Sequence, residues 1–142
     1  MTDLIATNRN TAILGLGATG LSVARFLSSI GKSFVFADSR TAPPRLAEVR
    51  ETYPDVAVVL GSFEADLLLS FDSVVVSPGI SLQEPALVAA QQQKIKLLGD
   101  VELFLAYAKA PVILITGSNG KSTVTKLVGE MAEASGLKVG VG

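Results

Sequence analysis

Neither cysteine nor histidine occurs among the 142 residues of this chain, and tryptophan is absent as well. Without cysteine, disulfide bonds and thiolate metal sites are excluded, and without histidine the most common general base and zinc ligand is missing. The formal net charge is −1, with no long run of either sign. We therefore expect neither a nucleic acid nor an anionic membrane surface as a partner.

Long apolar runs are also missing, and none approaches the roughly 20 residues of a membrane-spanning helix. Residues 1–10 lack the basic-then-apolar pattern of a signal peptide. The expectation is a soluble, cytoplasmic protein with no membrane partner. Apolar residues nevertheless make up 49% of the chain, which predicts a substantial core, and the length suits one ordinary domain.

Short apolar runs alternate with helical patterns over the first hundred residues. Helical patterns begin near Gly20, Pro44 and Glu84, and Gly31 is a plausible stop for the first of them. The candidate strands are residues 11–15, 33–38, 56–60, 73–77 and 95–98. This alternation with short loops predicts an α/β fold whose parallel sheet is covered on both faces.

A glycine cluster follows the first candidate strand. Residues 15–20 read Gly-Leu-Gly-Ala-Thr-Gly and match the G-x-G-x-x-G pattern of Rossmann-type nucleotide binding. Asp38 ends the second strand, close to where such a fold places a ribose-binding acid, roughly 20 residues on. The context favours a ligand role for the loop, whereas Asp38 is equally compatible with a solvated acid or a helix cap.

Two further positions could belong to the same site. Arg40 could pair with a phosphate, or could be a surface charge. Residues 77–79, Ser-Pro-Gly, form a turn after the fourth strand, at the edge where ligands bind in open α/β sheets, although plain turn chemistry explains them locally.

The most informative stretch is a second glycine-rich loop, residues 116–123, Thr-Gly-Ser-Asn-Gly-Lys-Ser-Thr. It follows an apolar run at residues 112–115 and precedes a helical pattern, which is the context of a phosphate cradle. Lys121 would reach the terminal phosphates and Ser122 could ligate Mg²⁺, while the helix N-terminus adds partial positive charge. The usual P-loop has its first glycine where this chain has Ile115, so the loop is a variant and a classical kinase or GTPase is a poorer match.

The order of the strand and helix patterns along the chain predicts a domain boundary near residue 98. Residues 100–108 suggest a short helix, residues 112–115 a strand, and the segment after the loop a long helix with a buried apolar stripe from Val124 to Ala132. Gly136 should end that helix, and residues 137–141 should begin another strand. We therefore expect a Rossmann-like domain over residues 1–98 and the beginning of a P-loop ATPase domain over residues 99–142.

Taken together, these separated motifs resemble those of the Mur ligases of peptidoglycan synthesis. Ser118 stands where the family's ATP loop usually has threonine, and it keeps the hydroxyl. Within the family, the motifs are most similar to those of the member that adds D-glutamate to UDP-N-acetylmuramoyl-L-alanine. The residues that carry the resemblance are 14–22, 38–40, 77–80, 99–104, 116–123 and 128–131.

The resemblance implies three domains, of which this chain would hold the first and the opening of the second and would lack ligase activity alone. It implies ATP and Mg²⁺ as cofactors and a D-glutamate site outside this chain. Lys121 would be catalytic and Ser122 would be the metal ligand. The implied contacts of the UDP substrate are Ala18, Thr19, Asp38, Ser39, Arg40 and Gly79. The implied ATP contacts are Gly117, Ser118, Asn119, Gly120, Lys121, Ser122 and Thr123.

Two other functions stay open on the sequence. The first glycine loop could serve an NAD-dependent oxidoreductase, although the second loop and the short first domain argue against it. A nucleotide-binding module without catalysis is the other alternative. The ligase chemistry fits the composition, because activating a carboxylate as an acyl phosphate requires a lysine and Mg²⁺ ligands more than a histidine or a cysteine.

Overall fold

The computed structural model describes residues 11–142, so the segment on which the absence of a signal peptide was argued lies outside the described residues. The chain divides into two compact units, Met1–Tyr107 and Ala108–Gly142. The domain boundary after residue 98 stays a prediction. Each unit is described by itself.

Strands and helices alternate throughout the first unit, as the sequence predicted. Its described residues form five strands and five helices, and the one helix the sequence did not indicate is α3, which is too short to show a helical period. The elements are β1 Thr11–Leu14, α1 Ala18–Ser29, β2 Phe34–Asp38, α2 Leu46–Thr52, β3 Val58–Leu60, α3 Ala65–Leu69, β4 Ser73–Val76, α4 Pro85–Gln92, β5 Lys96–Leu98 and α5 Asp100–Tyr107.

All five strands are parallel and lie in the order β3-β2-β1-β4-β5. The predicted Rossmann-like α/β fold is thereby confirmed. Leu14, the last residue of β1, is paired in register with Ala37 of β2 and with Val76 of β4. The loops that follow these three strands therefore leave the sheet at the same edge. The chain order reverses between β1 and β4, which is where open α/β sheets bind ligands.

The apolar core lies on both faces of the sheet because successive strand residues point to opposite sides. On β1, Ala12 and Leu14 face α3 and α4, while Ile13 faces α1, α2 and α5. The central strands β1, β2 and β4 are buried on both sides, and for this reason they are mostly apolar runs rather than alternating ones.

Two helices of the first unit end in the same hydrogen-bond arrangement with different residues. After α1, the N–H of Gly31 donates to the carbonyl of Ser28, and the N–H of Lys32 donates to the carbonyl of Leu27. Gly31 has φ +68°. After α4, Lys94 takes the same left-handed position with φ +62°, and its N–H donates to Gln91. A side chain disfavours this conformation, so the end of α4 is strained where the end of α1 is not.

The second unit contains the helix α6, Lys121–Ala134, which the sequence predicted. The predicted strands at residues 112–115 and 137–141 are wrong, since neither segment forms a strand in the described chain. A strand requires a hydrogen-bonded neighbour, and the side chains of Ile113 and Leu114 are 68% and 66% exposed. The apolar stripe on α6 is likewise exposed at Leu127 and Met131, contrary to its prediction as core. No helix within residues 11–142 is long and apolar enough to cross a bilayer.

Replacing Lys94 by glycine should raise the free energy of unfolding by about 1 kcal/mol. The left-handed conformation costs a residue with a Cβ about 1–2 kcal/mol, and the greater freedom of glycine in the unfolded chain offsets part of the gain. The reverse swap, Gly31→Lys, should lower the stability by a similar amount. Urea unfolding followed by circular dichroism measures both, and an unchanged or lower midpoint for Lys94→Gly would contradict the assignment of strain.

Candidate functional site

The loop between β1 and α1 is folded tightly by its glycines. Gly15 has φ +98°, a conformation that favours glycine, and its N–H donates to the carbonyl of Ala37 at 2.8 Å. A Cβ on Gly20 would overlap the carbonyl oxygen of Gly15. The first and last glycines of the motif are therefore required by the fold itself, whether or not a ligand binds.

Gly17 differs from these two glycines. It is the N-cap of α1, and a Cβ built on it would meet nothing within 4 Å. The open space lies beside the first turn of a 12-residue helix, whose leading N–H groups have no intrahelical partner and carry the positive end of the helix dipole. The backbone at Gly17 can thus be approached closely by an anionic group.

Asp38 joins the end of β2 to the glycine loop. Its Oδ2 accepts hydrogen bonds from the N–H of Leu16 at 2.7 Å and from Nη2 of Arg40 at 2.7 Å. Its Oδ1 accepts from the N–H of Arg40 at 3.0 Å and from Nε of the same residue at 2.8 Å. The side chain is only 3% exposed, so this carboxylate is buried and held by four donors.

The charge of Asp38 is stabilised despite its burial. Burial is the largest single influence and raises the pKa of Asp38, but the side-chain hydrogen bonds from Arg40, the N–H groups of Leu16 and Arg40 and the charge of Arg40 outweigh it. The net effect lowers the pKa of Asp38 from 3.8 to about 2. The same hydrogen bonds raise the pKa of Arg40. The pair is therefore ionised at any physiological pH.

A third loop follows β4 and lies beside the glycine loop. The N–H of Ser77 donates to the carbonyl of Leu14 at 3.1 Å, and the N–H of Ile80 closes a turn on Ser77 at 3.0 Å. A Cβ on Gly15 would lie 2.7 Å from Oγ of Ser77, which shows how closely the two loops approach. Gly79, like Gly17, has nothing within 4 Å of where its Cβ would be.

These three loops enclose a cleft of about 460 Å³ at the carboxyl edge of the sheet. All six residues predicted to contact the UDP substrate line it, although whether they bind that ligand stays a prediction. The lining also includes five turn residues that were not predicted as contacts. The lining residues are Gly15, Gly17, Ala18, Thr19, Asp38, Ser39, Arg40, Ser77, Pro78, Gly79 and Ile80.

The cleft has the chemistry of a site for a phosphorylated ligand. Its volume lies in the range of small-molecule sites, and its lining combines hydroxyl groups, an arginine and the N-terminus of a helix. The feature that the sequence could not reveal is the contact between the N–H of Leu16 and Asp38. Leu16 has a fully buried apolar side chain, and nothing in its identity indicates a role for its backbone.

The predicted ATP loop lies in the second unit. Gly120 is the N-cap of α6 with φ +75°, and the first turn of that helix begins with Lys121, Ser122 and Thr123. Nζ of Lys121 donates a hydrogen bond to the carbonyl of Gly117. All residues from Thr116 to Thr123 are exposed. The binding of ATP by this loop, and of Mg²⁺ by Ser122, stays a prediction. Within the described residues, no group of three or more histidine, cysteine, aspartate or glutamate side chains could hold a metal ion.

The stability of the chain should depend on the ionisation of Asp38. Because the pKa is lower in the folded state, the stabilisation is complete above the unfolded pKa and is lost as the pH falls through about 2. The stability difference between the wild type and Asp38→Asn should therefore shrink by about 2 kcal/mol between about pH 5 and pH 2. Urea unfolding at several pH values tests this, with Asp66→Asn, which changes an exposed carboxylate, as the control. A difference that does not change with pH would contradict the role of the charge.

Comparison with known proteins identifies the family. Residues 9–99 match the family described as Mur ligase MurD-like, N-terminal domain. The chain is 53% identical over 140 residues to the UDP-N-acetylmuramoylalanine--D-glutamate ligase of Pseudomonas syringae pv. syringae, covering 99% of this chain and 31% of that protein. It is 54% identical over 129 residues to the ligase of the same name from Nitrosococcus oceani, covering 91% and 28%. The chain thus spans about a third of the length of the curated relatives it matches.

Solved structures share the fold at lower identity. A pseudomurein peptide ligase type C from Methanothermus fervidus matches with a TM-score of 0.57 and 24% identity, over 92% of this chain and 27% of that one. The UDP-N-acetylmuramate-alanine ligase of Thermotoga maritima matches with a TM-score of 0.56 and 23% identity, over 87% and 29%. The family match over residues 9–99 covers the sheet, its three loops and the cleft. This chain therefore belongs to the Mur ligase family and contains its MurD-like N-terminal domain.

Proposed function

We propose that the first unit binds the UDP-linked substrate of an ATP-dependent ligase that adds D-glutamate to UDP-N-acetylmuramoyl-L-alanine in the cytoplasm. The ligase would activate the substrate carboxylate with ATP, in the presence of Mg²⁺, and join it to the amine of D-glutamate. The observation that carries the proposal is the cleft, into which three loops from separate parts of the sequence bring every residue expected to contact the UDP substrate. The family of residues 9–99 and the names of the relatives support it.

The geometry of the cleft fits a nucleoside diphosphate. The diphosphate would lie against the open backbone at Gly17 and the N-terminus of α1, where a Cβ would otherwise intrude. Arg40, anchored on Asp38 with 54% of its side chain exposed, would contact the nucleotide from the β2 side. Gly79 offers a second open stretch of backbone from the β4 side.

The second unit would contribute to the ATP site. Its exposed hydroxyls and ammonium at the start of the 14-residue helix α6 fit a polyphosphate, because both the side chains and the helix N-terminus favour anions. Lys121 would neutralise charge on the phosphates, and Ser122 would supply an oxygen ligand to Mg²⁺. ATP would supply the phosphoryl group that activates the carboxylate.

An NAD-dependent oxidoreductase is less well supported. The strand order and the glycine loop suit a dinucleotide, but that use requires the acid after the second strand to accept hydrogen bonds from a ribose. The four acceptor positions of Asp38 are already occupied by donors of the protein. A nucleotide-binding module without catalysis is the other alternative. It would bind the same ligand in the same cleft, and it differs from the proposal only in that the whole protein would not catalyse a ligation.

The 142-residue chain should bind UDP-N-acetylmuramoyl-L-alanine and should not bind NAD. Amide NMR titrations should show shifts at Gly17 to Gly20 and at Asp38 to Arg40 with the UDP ligand only. Gly17→Ala should weaken binding by about tenfold or more with little loss of stability, because its methyl group would occupy the space of the ligand and nothing else. A threonine exposed outside the cleft, Thr123→Ala, is a control for the UDP ligand. Shifts at these residues with NAD alone would refute the assignment.

Lys121 should be needed for catalysis and not for binding of the UDP ligand. When residues 1–142 replace the corresponding segment of the Pseudomonas syringae ligase, Lys121→Ala should lower the turnover by about a hundredfold or more. The affinity for UDP-N-acetylmuramoyl-L-alanine should barely change, since the cleft residues lie in the first unit. Phosphate release and product formation measure the effect, with the unsubstituted chimera as the control. Near-normal ligation by the alanine variant would rule out the role.

A further inference from the structure

Asp38 has no acceptor position left for a ligand. A carboxylate has about four acceptor positions, and here Oδ1 and Oδ2 each accept two hydrogen bonds from the protein. Three of the four donors belong to Arg40, and the fourth is the N–H of Leu16. A ribose hydroxyl could bind Asp38 only by displacing one of them.

The same contacts fix the position of the Arg40 side chain. Nε and Nη2 donate to different oxygens of one carboxylate at 2.8 and 2.7 Å, the two-point geometry in which an arginine pairs most specifically. The carboxylate cannot turn away, because it is buried and also held by Leu16. The guanidinium is thereby held in one plane at the wall of the cleft. Nη1 takes no part in the pairing with Asp38 and could donate to a ligand.

We propose that Asp38 is a positioning residue that fixes the guanidinium of Arg40 and thereby selects a UDP-type ligand over a dinucleotide. The proposal rests on the proposed function for its ligand. Asp38, which the family resemblance implies as a substrate contact, would then act through Arg40 and would not itself touch the ligand, because both of its oxygens are occupied. Selection follows because the arginine offers a fixed cationic plane to the ligand, while the acid that would bind the ribose of a dinucleotide is occupied.

The first test examines the arginine without any ligand. In ¹⁵N NMR spectra of the 142-residue chain, the Nε–H of Arg40 should be protected from exchange with water, and Asp38→Asn should abolish this protection. The Nε–H of Arg45 is the internal comparison, since Arg45 pairs with Glu48 at 2.7 Å on the exposed surface. Exchange of the Arg40 Nε–H as fast as that of Arg45 would overturn the proposal, whatever the chain binds.

The second test is a double-mutant cycle on ligand affinity, measured by calorimetry with UDP-N-acetylmuramoyl-L-alanine. Asp38→Asn and Arg40→Gln should each weaken binding by about tenfold, a typical effect of losing a charge-assisted contact. The double variant should be no weaker than Arg40→Gln by more than about twofold, because the amide oxygen of asparagine can still accept from Leu16. Arg40→Lys, which keeps the charge and loses the two-point geometry, should behave as Arg40→Gln does.

Selectivity provides the third readout. The ratio of the affinity for UDP-N-acetylmuramoyl-L-alanine to the upper limit that the same titration sets for NAD should fall about tenfold in Arg40→Gln and should not change in Arg45→Gln, the matched surface control. The proposal would be overturned if the losses of binding free energy in the two single variants added up in the double variant, or if Arg40→Lys bound the UDP ligand as tightly as the unsubstituted chain. Either result would leave the proposed function intact. If the unsubstituted chain bound no UDP ligand, the proposed function would be overturned, and the selectivity claimed for Asp38 with it.

Discussion

The level pairing of β1 with its two neighbours is the constraint on which the site depends. Because Leu14 is paired with Ala37 and with Val76, the three loops that follow begin at the same height above the sheet. A shift of one residue in either pairing would move one loop by about 3.3 Å and turn its strand's side chains to the opposite face. Burial of these strands on both faces opposes such a shift, so the core that stabilises the sheet also aligns the cleft.

Within that frame, the buried carboxylate of Asp38 joins two of the three aligned loops. Burying a charge without partners would cost several kcal/mol. The pKa of Asp38 is lowered despite its burial because its hydrogen bonds and the charge of Arg40 together outweigh the desolvation. The contacts of Asp38 run to both the glycine loop and the turn after β2. The desolvation of this group is therefore offset during folding, before any ligand arrives.

The sequence predicted the parallel α/β fold and the loops that form the cleft from local signals, whereas the contacts expected at Ala18, Thr19 and Ser39 come only from the family resemblance. Apolar runs mark buried strands, and the residues just after them in a parallel sheet must meet at one edge. What could not be predicted depends on contacts between distant segments: the N–H of Leu16 meets Asp38 only once β1 and β2 are paired. The strand predicted at residues 112–115 fails for the same reason, since apolar, β-branched residues favour a strand but the pairing requires a neighbour.

The two loops prepare for a ligand in different ways. In the first unit the guanidinium of Arg40 is held by Asp38, so a nucleotide would not have to order that side chain, and the entropic cost of binding would be reduced. In the second unit Nζ of Lys121 donates to the carbonyl of Gly117, within the loop that would receive the phosphates. A phosphate would have to replace that carbonyl as the acceptor, and its negative charge would attract the ammonium more strongly than a neutral carbonyl does. The protein thus fixes a donor in advance at the cleft, whereas at the second loop the charge of a phosphate would have to redirect the lysine.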